Sequence, residues 1–368
     1  MLTILDRYIL RALLINYGIA LAVMVSLYVV LDLFVNMDEF TEQGYAFPTV
    51  IRNIVDYYAP NLLLYFAQLS GVITLFACLA SLARMRKFNE LTAVLASGVS
   101  LHRVAAPIIT FGLASTALLV IDSELLIPSV AHRLARDRDD VDGTRAYGVL
   151  FLRDRDESLL SAAQFHPKTR DLRGLLVLTR NEQGSIIRTL EADRGVWEPP
   201  DSTRPIGRWR LQRSRLTTRV IHPNETLGPR ESIRVTHPEF YESDLSPEAI
   251  QLRQAEGWIR FLSLGQLREL QQEGSSNIDA IVRTRHARIA TPLVSIVLLL
   301  LGLPFFLNRS PGNVMHDTGK CLLLCGLCYV ASFVAQSIRP EAPSALPTWI
   351  PIFVFGTVAI VLLDRVRT

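Results

Sequence analysis

The stretch ALLINYGIALAVMVSLYVVLDLFV, residues 12–35, is apolar over a length that crosses a membrane as one helix. A hydrocarbon core about 30 Å thick needs roughly 20 such residues. The run is too long for the apolar part of a signal peptide and ends without a small-residue cleavage pattern, so we expect a retained membrane helix. Five further runs predict membrane helices: 61–83, entered through Pro60, 104–121, 289–307, 321–338 and 346–363.

Basic residues in the short loops predict the orientation of these spans. Ten Lys and Arg residues flank them on the side of the chain ends, whereas the opposite short loops hold only Arg52 and Arg339. We therefore expect both ends in the cytoplasm and the middle of the chain on the far side of the membrane. The predicted organisation is residues 1–125 with helices one to three, a domain over 126–285, and residues 286–368 with helices four to six.

The middle domain has the pattern of short β-strands from about Tyr147 onwards. Its predicted strands are separated by Pro, Asp and Gly clusters, which favours a sandwich or barrel-like sheet. The strands are GLLVLT (174–179), SIIRTLE (185–191) after the turn NEQG, GVWE (195–198), RWRLQ (208–212) and RLTTRVI (215–221). Between Pro247 and Glu273 the pattern becomes helical, with Ser246 as the predicted N-cap. The fold class is thus an α-helical polytopic membrane protein, with six transmembrane helices and an inserted all-β extracytoplasmic domain.

Composition excludes several classes of function. The net charge of +3, with Arg and acidic residues interleaved in the middle domain, argues against nucleic-acid binding. All four cysteines lie in apolar runs, so Cys325 and Cys328 are expected to be buried despite their redox-like spacing. His166, His222 and His237 stand apart from other ligand types, and no nucleophile or paired-carboxylate motif is found. We therefore expect no catalytic site, cofactor or metal.

A short helix is predicted between the second and third spans, over about residues 87–98. Phe88, Leu91 and Leu95 recur at i, i+3 and i+7 and share one helical face. Asn89 is the predicted N-cap, and Gly98 suits the helix end. Such a helix is less than half as long as a membrane crossing, so we expect it to lie along the cytoplasmic surface.

Two interpretations of this short helix stay open. It is either an interfacial amphipathic helix resting on lipid headgroups or a docking helix that fits a groove in a cytoplasmic partner. Glu90 favours docking, because an acid gains nothing from anionic lipid but pairs with an Arg of a partner. The chain itself offers no nucleotide site, since GNVMHDTGKC (312–321) has its glycines seven apart instead of the five of a phosphate loop.

Five stretches together resemble the LptF/LptG family, the permease subunits of the lipopolysaccharide-export ABC transporter. LDRYI (5–9) resembles the start of the G-type subunit, and NELTAVLASGVS (89–100) resembles the coupling-helix segment of the family. PEAIQLRQAEGWIRFLSLGQLRELQQEG (247–274), RTRHARIATPL (283–293) and Leu303-Pro304-Phe305 resemble the stretch leading into and through the fourth helix. The order of three helices, β-domain and three helices covers the whole chain.

The resemblance implies a permease of the bacterial inner membrane that pairs with a second, similar permease subunit. A dimer of a separate cytoplasmic ABC ATPase would drive it. Membrane lipid or lipopolysaccharide would enter between helices one and five, pass to a β-jellyroll and continue to a periplasmic jellyroll bridge protein. Glu90 is the residue expected to dock on the ATPase. The full predicted docking set is Arg84, Arg86, Phe88, Glu90, Leu91, Leu95, Ala96, Ser97 and Gly98.

The outer end of the first helix departs from the family pattern. Where G-type subunits tend to carry lysines that face lipid phosphates, this chain reads LDLFVNMDEF (31–40). Asp32 is either an interfacial carboxylate or one that lines a cavity. Three possibilities would each reconcile these acidic residues with a lipid path. The lipid carries fewer phosphates, the partner subunit makes the phosphate contacts, or a divalent cation bridges the acids and the phosphates. The residues predicted to line that path are Asp32, Asp38, Glu39 and Gln336.

One alternative function of a different class stays open. An ABC-type signalling or mechanotransmission protein would use the same docking helix to move its outer domain without transporting anything. An apolar groove in the outer domain that is continuous with the opening between helices one and five favours export, whereas a filled, closed sheet favours signalling. A membrane-anchored enzyme is disfavoured because paired catalytic groups are missing.

Overall fold

The computed structural model describes residues 3–41, 47–135, 146–180, 186–202, 204–222, 230–254, 257–272, 278–307, 314–338 and 345–364. The chain divides into two compact units. The first, here called the membrane unit, comprises Met1–Asp38, Tyr58–Val130 and Ile259–Thr368. The second, the β unit, comprises Glu39–Tyr57 and Ala131–Trp258.

Six helices within the described residues are long and apolar enough to cross a membrane, which confirms the predicted helical membrane fold. They are α1, α3, α5 with its continuation to Ser129, α10, α11 and α12. In chain order the helices are α1 (Ile4–Val35), α2 (Met37–Thr41), α3 (Phe47–Lys87), α4 (Glu90–Ala96), α5 (Leu101–Ile121), α6 (Ile127–Ser129), α7 (Ala131–Leu134), α8 (Pro247–Gln254), α9 (Leu264–Gln272), α10 (Ile278–Phe306), α11 (Val314–Ser337) and α12 (Leu346–Asp364).

Several helices run further than the apolar runs that predict them. α1 begins early because Thr3 and Asp6 form a capping box, in which each side chain accepts from the backbone N–H of the other. Pro60 does not open the second span but lies inside α3. A proline removes one helical hydrogen bond, and the remaining bonds of so long a helix outweigh that loss. α5 likewise does not close at Asp122 but continues through a π-helical turn, Asp122–Leu126.

α10 forms the packed centre of the membrane unit and buries residues along most of its length. Gly71 of α3 faces it at very close range, because a Cβ built on Gly71 lies 2.7 Å from Ser295 Oγ and 3.3 Å from Ser295 Cα. Small residues that let two backbones approach closely are a general means of helix association in membranes. Gly71 therefore sets the distance between α3 and α10.

The described strands of the β unit form one antiparallel sheet, which confirms the inserted β-domain. The strands pair in sequence order from β1 to β6, and β7 pairs with β5. The described part of the sheet therefore has the strand order of a meander, and the jellyroll implied by the family resemblance stays a prediction. The strands are β1 (Tyr147–Arg153), β2 (Leu159–His166), β3 (Asp171–Arg180), β4 (Ile186–Glu198), β5 (Arg208–His222), β6 (Arg230–Thr236) and β7 (Phe240–Glu242).

The strand boundaries differ from the predicted ones for a physical reason. GVWE is the end of β4, and RWRLQ and RLTTRVI are halves of the single strand β5. The buried positions change parity midway along both strands, between Ala192 and Gly195 and between Leu211 and Ser214. Arg213 has a φ of +50°, which turns the side chains that follow it to the other face. The alternation of apolar residues is therefore interrupted within a strand that itself continues. The predicted turn NEQG lies outside the described residues.

The helical stretch after Pro247 is also interrupted. Ser246 Oγ accepts a hydrogen bond from Ala249 N at 3.1 Å, which confirms the predicted N-cap of α8. A 3₁₀ turn, Trp258–Phe261, precedes α9. The predicted helical region is thus two α-helices with a tighter turn in the chain between them.

Candidate functional site

α4 is the observed form of the short helix predicted between the second and third spans. Asn89 occupies the N-cap position of α4, as predicted, but it adopts the left-handed conformation, with φ of +57°, and its side chain makes no cap hydrogen bond. Asn89 instead makes the sharp turn between α3 and α4, a conformation that Asn tolerates better than most residues. Gly98 has a φ of +85°, which ends α4 as predicted. Ser100 then caps α5 by accepting from Arg103 N.

One side of α4 packs into the membrane unit. Leu91 is only 3% exposed and belongs to the same buried cluster as Ile9 of α1 and Leu101 of α5. Leu95 packs against that cluster as well. Phe88 does not share this side, because it precedes the turn at Asn89, and it is 63% exposed. The predicted common face of Phe88, Leu91 and Leu95 is therefore wrong at its first position.

The other side of α4 is exposed and made mostly of small residues. Ala96, Ser97 and Gly98 are all exposed, and so are Thr92 and Ala93. Short side chains let a second surface approach the backbone closely. Of the predicted docking residues, Phe88 and Arg84 also lie at the surface. α4 therefore presents an open, largely unobstructed surface while its leucines anchor it.

Glu90 lies at the start of α4 and is half-buried. Its Oε2 atom accepts a hydrogen bond from the Tyr8 hydroxyl at 2.7 Å. Tyr8 belongs to α1, and the sequence offers no local signal that pairs two residues 82 positions apart. Sequence reasoning found Glu90 and missed its partner.

Arg86 lies inside the membrane unit, with its side chain only 8% exposed. Its Nη1 atom donates to Asp317 Oδ2 at 2.8 Å and to the carbonyl oxygen of Phe305 at 3.0 Å. The guanidinium also lies 6.0 Å from the ring centroid of Phe306. Arg86 thus joins α3 to α10 and α11, and any part it has in docking is indirect.

Replacing Arg86 by alanine is expected to destabilise the membrane unit, because it leaves the Asp317 carboxylate without its charged partner. The expected loss is about 1–3 kcal/mol of unfolding free energy. Thermal unfolding of the purified protein measures it, and the double variant Arg86→Ala, Asp317→Ala should recover part of the loss. Strictly additive losses in the double variant would show that the two side chains do not stabilise one another.

The acidic end of α1 is bonded to a neighbouring helix. Asp32 Oδ2 accepts a hydrogen bond from the Tyr58 hydroxyl of α3 at 2.8 Å, and Tyr58 is buried. Asn36 also donates to Asp32, at 3.3 Å from Oδ1. Asp32 is half-buried, so it has a structural role beside any role in a lipid path. Of the other residues predicted there, Asp38 is exposed, Gln336 is half-buried and the side chain of Glu39 lies outside the described part of the chain.

α1 and α11 expose long apolar faces. On α1 these include Val23 and Leu27, which are 57% and 56% exposed. On α11 they include Leu323 and Leu327, which are 73% and 56% exposed. Within a membrane such faces contact lipid or the apolar face of another helix.

A buried charged cluster at the end of α5 escaped the sequence analysis. Arg288 of α10, with its side chain 10% exposed, donates to the carbonyl oxygens of Ser123 and Arg260 and forms an ion pair with Glu124. Asp122 is 1% exposed, and neither of its carboxylate oxygens accepts a hydrogen bond from a described residue. These contacts join the π-helical turn to α10.

All four cysteines are free thiols and are buried. Cys325 and Cys328 are buried, as predicted, and Cys325 Sγ lies 3.7 Å from the carbonyl oxygen of Leu298. Within the described ranges, no group of three His, Cys, Asp or Glu side chains is placed to hold a metal ion.

The described residues thus define a polytopic helical membrane protein with an inserted antiparallel β unit and a short anchored helix between α3 and α5. The family model described as lipopolysaccharide export system permease LptF/LptG matches residues 7–365, nearly the whole chain. The chain belongs to the LptF/LptG family, as its motifs predict. No curated protein matches the chain.

Family membership fixes the general role. The chain is a multi-pass inner-membrane permease of the lipopolysaccharide export system, which works within an ABC transporter that has partner subunits. It is a component of a transporter and not an enzyme. The family model covers both subunit types, so the G-type assignment stays a prediction.

Proposed function

We propose that this permease extracts lipopolysaccharide, or a related amphipathic glycolipid, from the inner membrane and passes it to a periplasmic bridge for export to the outer membrane. The observation that carries the proposal is α4, which anchors Leu91 in the membrane unit and exposes its opposite side. Because Leu91 packs against the surrounding helices, a second protein that displaces α4 also displaces those helices.

The proposed driver is a dimeric ABC ATPase in the cytoplasm, docked on α4 through Glu90. The proposal has α4 on the cytoplasmic side, together with both ends of the chain, which the excess of basic residues in the short loops on that side supports. The exposed, small side chains of Ala96 and Ser97, with Gly98, let α4 fit into a groove of the ATPase. Glu90 supplies a carboxylate that pairs with a cationic side chain of that groove.

The proposed lipid entrance lies along α1 and α11. Both helices expose apolar faces that match acyl chains or the helices of a second, similar permease subunit. Asp32 is compatible with this path because Tyr58 and Asn36 already donate to it. Its charge is thereby partly compensated within the chain, which lowers its repulsion of a lipid phosphate.

The proposed exit is the β unit and a periplasmic jellyroll protein beyond it. β6 is an outer strand of the described sheet, and Ile233 and Val235 on it are 70% and 42% exposed. The register places Leu178, Thr189, Thr217 and Val235 in one row across four strands, on the face away from the buried core. An outer strand beside a partly apolar face suits the addition of another sheet and the passage of acyl chains.

Reconstitution of the full chain with its ATPase and a second permease subunit tests the proposal. In proteoliposomes that contain lipopolysaccharide, ATP should drive transfer of the glycolipid to a soluble periplasmic acceptor, and a non-hydrolysable analogue should not. ATP-dependent movement of fluorophores on the β unit without any glycolipid release would contradict export and support mechanotransmission.

A further inference from the structure

The first turns of α1 are bonded to both flanks of the short helix α4. The Tyr8 hydroxyl donates to Glu90 Oε2 at 2.7 Å, at the start of α4. Beyond the end of α4, Arg103 Nη2 of α5 donates to Asp6 Oδ2 at 3.0 Å and to Thr3 Oγ1 at 3.4 Å. Asp6 and Tyr8 of α1, with its N-cap Thr3, thus form a clamp on the segment that carries the docking surface.

The bond from Tyr8 restricts the side chain of Glu90. A glutamate in the first turn of a surface helix has several accessible rotamers, and a charge-assisted hydrogen bond selects one of them. A carboxylate accepts on both oxygens. Tyr8 occupies Oε2, and no described residue donates to Oε1, so Oε1 is open to a donor from a docked protein. Tyr8 and a docked cation therefore bind the same carboxylate together.

The clamp also determines which helix moves with α4. Only Asp6, Ile9 and Leu13 of α1 are buried, and all three lie in its first half. The remainder of α1 is held by scattered contacts such as Asn16 Nδ2 to Ser81 Oγ at 2.7 Å. A displacement of α4 is accordingly transmitted to α1 at its N-terminal end, where these buried residues lie.

We infer that Tyr8 is a positioning residue for coupling: it orients the Glu90 carboxylate towards the ATPase and makes α1 move with α4. The inference rests on the proposed function, because it assigns Tyr8 a part in the docking step. It adds a direct route from the docking surface to a helix of the lipid entrance, which does not pass through α3 or α5.

The test uses Tyr8→Phe in the complete reconstituted transporter, because this change removes only the hydroxyl. The matched control is Tyr17→Phe on the same helix. The hydroxyl that it removes accepts a hydrogen bond from Ser115 Oγ at 3.3 Å and lies away from α4 in the sequence. Tyr8→Phe should raise the ATP hydrolysed per glycolipid released by about threefold to tenfold, the range of one hydrogen bond. Tyr17→Phe should leave that ratio unchanged.

A double-variant comparison separates positioning from simple anchoring. In a Glu90→Ala background the acceptor of the Tyr8 hydroxyl is already lost, so Tyr8→Phe should change the ratio less than about twofold. A wild-type ratio for Tyr8→Phe, or an equal effect of Tyr8→Phe in both backgrounds, would overturn the inference. If Glu90→Arg alone leaves ATPase binding and glycolipid release intact, the proposed docking fails and the inference fails with it. If Glu90→Arg uncouples the transporter but Tyr8→Phe does not, only the inference fails.

Discussion

Replacing Glu90 by arginine is expected to release the ATPase from the permease and to stop glycolipid release. The change places a positive charge where α4 is proposed to meet a cationic side chain, and it removes the acceptor of the Tyr8 hydroxyl. Loss of a charge-paired contact at an interface costs enough to weaken binding at least about tenfold. Co-purification of the ATPase with the permease, followed by ATP hydrolysis in proteoliposomes, measures both effects.

The matched control for this charge reversal is Glu269→Arg. Glu269 is an exposed residue of α9, so the same change of charge occurs away from α4. The control should retain ATPase binding and coupled release. Glu90→Arg that releases glycolipid at the wild-type rate would contradict the docking role of α4.

Replacing Gly71 by leucine is expected to destabilise the membrane unit by forcing α3 and α10 apart. Even the first added carbon would lie 2.7 Å from Ser295 Oγ and 3.3 Å from Ser295 Cα, and the latter belongs to the backbone of α10. Since a backbone cannot turn aside as a side chain does, α3 and α10 must separate. Overpacking of this kind costs about 1–3 kcal/mol or more. Lower yield of monodisperse protein and a lower melting temperature are the measurements.

Gly326→Leu is the control for this substitution. It makes the same change on α11, where no heavy atom lies within 4 Å of the added Cβ. It should purify and melt like the wild type. Equal behaviour of the two variants would show that α3 and α10 do not depend on close approach at Gly71.

The membrane architecture could be predicted because its signals are local. A run of apolar residues such as 12–35 identifies its own helix, and the basic flanks set the expected orientation. Strand limits were less predictable. In β5 the left-handed Arg213 reverses which side chains face the core, so one long strand has the pattern of two short ones. The alternation of apolar and polar residues shows which side chains face the core. It indicates where a strand begins and ends only indirectly.

The candidate site was predictable in place but not in detail. The spacing of Leu91 and Leu95 identified a helix with one apolar side, and Glu90 was recognised as its distinctive charge. Its hydrogen bond to Tyr8 joins residues 82 positions apart, and the pairing of Arg86 with Asp317 spans 231 positions. Such contacts arise from tertiary packing, for which a single sequence carries no periodic signal.

Photo-crosslinking from the apolar faces of α1 and α11 tests the central claim of glycolipid export most directly. A photoreactive residue at Val23 or at Leu327, both more than half exposed, should capture lipid in cells that make lipopolysaccharide. The adduct, identified by mass spectrometry, is predicted to be lipopolysaccharide or a related glycolipid, with a yield that changes when the ATPase is inactivated. Adducts with bulk phospholipid alone, at a yield independent of the ATPase, would contradict the assignment of this chain as a glycolipid-exporting permease.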